Sequence, residues 1–176
     1  TIIRIHMTLN NSVLYSSMNK KKFDDIFNRY KTLKKILSLK NLNVIDVGAN
    51  NGQTIIEISK NFPGSTIHSF EPQEDCRQNL IKIKRQNKKL KIHLNFFAFA
   101  KKKKIKTFYK NSKNVLSSFF KVNTNSKLFI NMKKQRKNKN FISGINLPTK
   151  IQQDTLSNYF KIKKIKNVDI LKIDTQ

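Results

Sequence analysis

The chain has 176 residues, with 37 Lys+Arg against 10 Asp+Glu and a formal net charge of +27. The length suits one globular domain, and 38% hydrophobic residues with 13 Phe is too apolar for a wholly disordered chain. No apolar run approaches the ~20 residues that span a bilayer, the single cysteine (Cys76) excludes an internal disulfide framework, and His6, His68 and His93 are too scattered to ligate a metal.

The basic residues are 32 Lys and only 5 Arg, alongside 22 Asn and 22 Ile. These are residues of A/T-rich codons, whereas a phosphate-gripping surface usually adds the bidentate fork of Arg. Compositional drift is therefore the simpler source of the charge, with nucleic-acid binding as its rival. The chain opens on Thr1 and stops at Asp174-Thr175-Gln176, straight after an apolar run. A C-terminally truncated piece of a longer protein is expected, because a sheet edge is normally covered. Nothing resembles a signal peptide, so the expected location is cytoplasmic.

In chain order, Phe23 to Leu39 carries apolar residues at helical spacing (Phe23, Ile26, Phe27, Tyr30, Leu33, Leu37). Asn43 to Val47 is a short apolar run suited to a buried parallel strand, and it enters a glycine turn, Gly48 to Gly52. A helix is expected over Thr54–Asn61, a strand over Thr66–Phe70 and a helix opened by Pro72. A third strand is expected over Ile92–Ala98. This alternation predicts parallel βαβ units with helices on both faces of the sheet. Residues 101–150 break the rhythm and read as an insertion, with a strand-like Ile105–Tyr109, a short hairpin and a mobile lysine-rich loop at Lys133–Asn140. A short helix over Thr155–Phe160 and a strand over Val168–Asp174 resume it.

The chemistry concentrates at the glycine turn. Asp46-x-Gly48-x-x-x-Gly52 is not the Gly-x-Gly-x-x-Gly of dinucleotide folds. An acid two residues before the first glycine is unwelcome beside a pyrophosphate and suitable beside a cation. Glu71, 19 residues after Gly52 at the end of the next strand, is placed to accept ribose hydroxyls. Each acid also has a plainer reading, Asp46 as a turn cap and Glu71 as a first-turn acid favoured by the helix dipole.

Val44 to Gln53 (VIDVGANNGQ), Ser69 to Pro72 (SFEP), Asp154-Thr155-Leu156 and Asp169 to Gln176 (DILKIDTQ) together resemble the FkbM family of methyltransferases. The resemblance implies a class I Rossmann-like domain, which gives an incomplete S-adenosylmethionine-binding domain over residues 42–176 with the basic insertion at 101–150, and the periodicity before it an N-terminal helical segment over residues 1–41. It implies S-adenosylmethionine as cofactor, with transfer to a hydroxyl of a sugar, glycan or small natural product. It also places Asp46, Gly48, Asn50, Gly52 and Gln53 around the methionine part of the cofactor and Glu71 at its ribose. Asp174 falls where the methyl is transferred, and is the candidate general base or orienting group; a structural role as a cap is its alternative. The chain departs from the family in ending at Gln176, in Lys101–Lys104 after Ala98, and in Ser157 where the family usually has Asp. The alternatives to a small acceptor are a nucleic-acid-directed methyltransferase and a non-catalytic basic RNA-binding module; no metal is expected.

Overall fold

The computed structural model describes residues 3–6, 29–36, 40–112, 116–127, 129–131 and 145–175. Within them the elements run β1 (Ile3–His6), α1 (Arg29–Ile36), β2 (Asn43–Val47), α2 (Gln53–Asn61), β3 (Thr66–Phe70), α3 (Glu74–Gln86) and β4 (Lys91–Asn95). They continue with β5 (Ala98–Phe99), β6 (Lys104–Lys110), β7 (Leu147–Asp154), α4 (Leu156–Lys163) and β8 (Ile170–Ile173). The chain divides into two compact units, one of residues 1–96 with 163–175 and one of residues 97–162.

The first unit is an α/β structure on a five-stranded sheet of order β1-β8-β2-β3-β4, in which every pairing is parallel. The unbroken apolar runs anticipated this, since a parallel strand buried on both faces has no polar alternation. Val44, Ile67, Ile92 and Ile170 share one face and join Ile55, Ile58, Cys76, Leu80 and Ile83 of α2 and α3 in the core. Each such buried aliphatic chain contributes roughly 1.5–3 kcal/mol over its exposed state. Cys76 is buried and unoxidised. Tyr30 and Leu33 of α1 pack on the same core; the rest of the helix expected over Phe23–Leu39 lies outside the described residues. Residues 1–41 are not helical throughout, because Ile3–His6 forms β1 beside β8.

On the opposite face, His68 of β3 and His93 of β4 are register partners whose rings stack at 4.5 Å and 9°. Burial, then His93, Lys163 and Lys91, lower the His68 pKa to about 4. His93 is lowered too, by burial and by Lys163, Lys91 and Lys84. A histidine with a depressed folded pKa binds fewer protons than its unfolded form, so stability rises with pH across the interval between the two values. Thermal stability should therefore fall as pH drops from about 6.5 towards 4, by several degrees in Tm. His68→Phe, which keeps the ring stack, should flatten that slope relative to the parent in melts over this range. Glu71, whose pKa is raised by burial, acts with the opposite sign above 4.5 and is common to both proteins. An unchanged slope in the variant would refute the assignment.

The second unit holds a three-stranded sheet of order β5-β7-β6, with β5 parallel and β6 antiparallel to β7. The third strand of the sequence reading is thus split. β4 ends at Asn95, whose amide turns back to the carbonyls of Ser69 (3.2 Å) and His93 (3.1 Å), and Ala98–Phe99 pairs instead with Gln153–Asp154. The expected short hairpin takes the form of an antiparallel bridge between Tyr109 and Ser118, while β6 along its length pairs with the distant β7. The loop expected at Lys133–Asn140 lies outside the described residues.

Candidate active site

The first unit places its carboxyl-end loops at a topological switch. From β2 the chain steps outward through β3 to β4, whereas β8 lies on the other side of β2. Ligands of open parallel sheets bind outside the strand ends at such a point. Backbone bonds tie these ends together. Gly48 and Ala49 N–H both donate to Phe70 O (2.9 and 3.0 Å), Glu71 N–H to Asn95 O (3.0 Å), and Asp174 N–H to Val47 O (2.9 Å).

The two turn glycines serve different purposes. Gly48 has φ +83°, and a Cβ there would overlap the carbonyl of Asp174. Its bareness is what lets the ends of β2 and β8 approach each other. Gly52 has φ +84°, and its Cβ would press on Ile83 Cδ1 (2.7 Å) and Leu80 Cδ2 (3.2 Å). The bare Cα there leaves room for the close packing of α3. Between them Asn50 adopts φ 46°, a left-handed conformation that Asn tolerates better than most residues.

Glu71 is 3% exposed and closes the turn from β3. Its Oε2 accepts from Asn50 N–H (2.8 Å) and its Oε1 from Gln73 N–H (3.0 Å). The Gln73 side chain adds a third bond to the carboxylate, which still leaves acceptor capacity. Burial raises the Glu71 pKa against the pull of these bonds, and Asp46 adds to the rise.

Asp46 is completely buried on the helix-covered face. Lys172, its register partner on β8, sets its ammonium 3.0 Å from Asp46 Oδ1, while Ser69 Oγ donates to Oδ2 at 3.4 Å. The same ammonium donates to Gly48 O (2.7 Å) and lies 3.8 Å from Asp174 Oδ2. Lys172 therefore joins the acid before the glycine turn, the turn itself and the acid that ends β8. Asp174 is half-buried and Gln53 is exposed in the first turn of α2. The strand ends and the turn thus bring Asp46, Gly48, Asn50, Glu71 and Asp174 together. Lys172 is the residue that sequence reasoning missed, and its signal was a lone cation in an apolar strand run matching the lone Asp46 in another. Among the described residues no cluster of His, Cys, Asp or Glu could hold a metal ion.

Four N–H groups along the turn have internal acceptors: Gly48 and Ala49 donate to Phe70 O, Asn50 to Glu71, and Gly52 to Ala49 O (2.8 Å). A pyrophosphate cradle needs such groups free and pointing at the ligand. The turn instead offers carbonyl and carboxylate oxygens.

Residues 46–176 match the family model of the methyltransferase FkbM domain, about three-quarters of the chain. No curated protein and no solved structure matches significantly.

Proposed function

The chain belongs to the FkbM methyltransferase family, and from that premise we propose that it carries a methyl group from S-adenosylmethionine to a hydroxyl of a sugar, glycan or small natural product, in the cytoplasm. The observation that carries the choice of donor is the Glu71 carboxylate that closes the turn at the end of β3, with the N–H groups of Gly48, Ala49 and Asn50 already engaged internally, which suits a cationic ligand with ribose hydroxyls better than a dinucleotide pyrophosphate. The residues fit such a donor. Glu71 keeps acceptor capacity for a ribose hydroxyl, and the backbone from Gly48 to Asn50 with the exposed Gln53 would border the methionine part. When bound, the donor supplies an electrophilic methyl on a sulfonium that departs as a neutral thioether.

The chain's own task is then alignment and proton handling. Asp46 acts through Lys172 rather than by touching the ligand, because that ammonium already compensates it and fixes Gly48 O. Gly52 acts through the course of the loop. Asp174, at the end of β8 and reachable from solvent, orients the acceptor hydroxyl or takes its proton.

The test is calorimetric titration with S-adenosylhomocysteine, using NAD as control. Saturable binding of the first alone is expected, weakened about tenfold or more in Glu71→Ala, which removes charged hydrogen-bond acceptors. Asp174→Asn should keep that affinity while lowering methyl incorporation from labelled donor into sugar acceptors. A folded protein that ignores S-adenosylhomocysteine, or prefers NAD, would overturn the donor assignment.

A further inference from the structure

We propose that the unit of residues 97–162 docks on an anionic lipid bilayer through the lip formed by β6 and the Phe119–Lys121 segment beside it. Two independent distributions converge on it. Residues 97–162 hold 16 of the basic residues and one acid, Asp154, whereas the other 110 residues hold 21 basic residues and nine acids. Drift in codon usage acts along the whole chain and does not explain so local a loss of acids. The large apolar side chains exposed among the described residues (Ile105, Phe120, Ile130, Leu147, Ile162) also all fall in this unit.

The two properties meet at one lip. β6 is an edge strand of its sheet. Ile105, 71% exposed, lies with Lys103 and Lys104 around a depression of about 480 Å³. The ammonium of the next residue, Lys106, is 5.3 Å from the rings of both Phe119 and Phe120, and Phe120 is 74% exposed. Lys121 follows, 5.4 Å from the Tyr109 ring.

The segment that presents Phe120 is firmly held. Tyr109 and Ser118 exchange backbone bonds of 2.8 and 3.1 Å, and the buried Asn111 binds Leu116 O (2.6 Å) and Ser117 Oγ (2.9 Å). Asn146 brackets Val122 from both sides (2.7 and 3.0 Å). A large apolar ring kept exposed on a fixed loop between ammonium groups is suited to contact, not to the unit's own core.

Lysines on an edge strand also discourage strand pairing, which accounts for the charge but not for Ile105 and Phe120. Single-stranded nucleic acid wants a succession of open rings. Here Phe119 packs on Phe108 at 5.1 Å, so Phe120 is the one widely exposed ring on the lip, and the exposed apolar side chain of β6 itself is the aliphatic Ile105. An interfacial contact uses what is present: apolar tips enter the acyl boundary while lysines meet lipid phosphates, with no need of Arg forks.

The experiment is co-sedimentation of the whole chain with vesicles of phosphatidylcholine alone and of equal parts phosphatidylcholine and phosphatidylglycerol, with polyuridylate as a soluble polyanion. Binding to the anionic vesicles, little to the neutral ones, and weakening by salt are expected. Ile105→Ser with Phe120→Ser, both exposed and charge-neutral, should cut vesicle affinity about tenfold or more and leave polyuridylate binding and the far-UV spectrum unchanged. Lys103→Gln and Lys106→Gln should each weaken vesicle binding about fivefold. Absence of anionic-vesicle binding, or a double serine variant that binds them like the parent, overturns the proposal. So does a serine variant that loses polyuridylate as much as vesicles, since the lip would then be reading bases.

Discussion

Lys172→Met is expected to destabilise the first unit by about 3–5 kcal/mol, because it strips the cation from a buried carboxylate. Asp46 is wholly enclosed, and its other side-chain partner is the Ser69 hydroxyl at a long 3.4 Å. The variant also deprives Gly48 O of its donor, loosening the turn from β8. A loss of that size is a large share of the 5–15 kcal/mol by which domains are normally stable. It should appear as a Tm lower by roughly 10 °C and an earlier urea midpoint. Lys172→Met combined with Asp46→Leu removes both charges and should recover most of the loss, as apolar replacements of buried pairs commonly do. Equal stability of the single variant and the parent would show that the ion pair contributes nothing. The double variant, stable again but without the anchor on Gly48 O, is expected to bind S-adenosylhomocysteine poorly, which separates folding from the shaping of the turn.

This pair marks where reading along the chain runs out. β2 and β3 occur where Asn43–Val47 and Thr66–Phe70 had been expected, because an apolar run bounded by Gly, Pro or polar residues is a local signal. The glycine turn after β2 was legible for the same reason. That Asp46 meets Lys172 depends on the register of strands 126 residues apart, which no window of sequence contains. The atoms that Gly52 avoids belong to Ile83 and Leu80, on a helix whose approach is a tertiary matter invisible in the glycine spacing. Glu71 was placed at its strand end from spacing, whereas its grip on Asn50 and Gln73 required the folded loop. The two-residue β5 carries no pattern to read, and the pairing of β6 with β7 spans a long polar connection. Nothing in the sequence around His68 and His93 marks the two as neighbours. Their juxtaposition follows only from the parallel register of β3 and β4.

Gly48→Ala should be far more damaging than Gly52→Ala, although the two glycines have nearly the same φ. The left-handed backbone costs an alanine roughly 1–2 kcal/mol at either site. At position 52 the new methyl group meets the ends of Ile83 and Leu80, flexible side-chain tips that can shift. At position 48 it meets the backbone carbonyl of Asp174, which is pinned by the bond from Asp174 N–H to Val47 O. Relief there requires β2 and β8 to part at their carboxyl ends, adding about 1–3 kcal/mol of overpacking strain and displacing Asp174 and the Lys172 contact to Gly48 O together. A shift of about 1 Å in such groups is enough to cost roughly a hundredfold in rate. Gly48→Ala is therefore expected to lose measurable S-adenosylhomocysteine binding and methyl transfer while losing several degrees of Tm. Gly52→Ala should show a smaller thermal loss with binding within about threefold of the parent, consistent with a role confined to packing. Calorimetry and thermal melts on the two variants side by side decide the matter. Retention of binding by Gly48→Ala would mean that the meeting of the β2 and β8 ends is not where the donor is held.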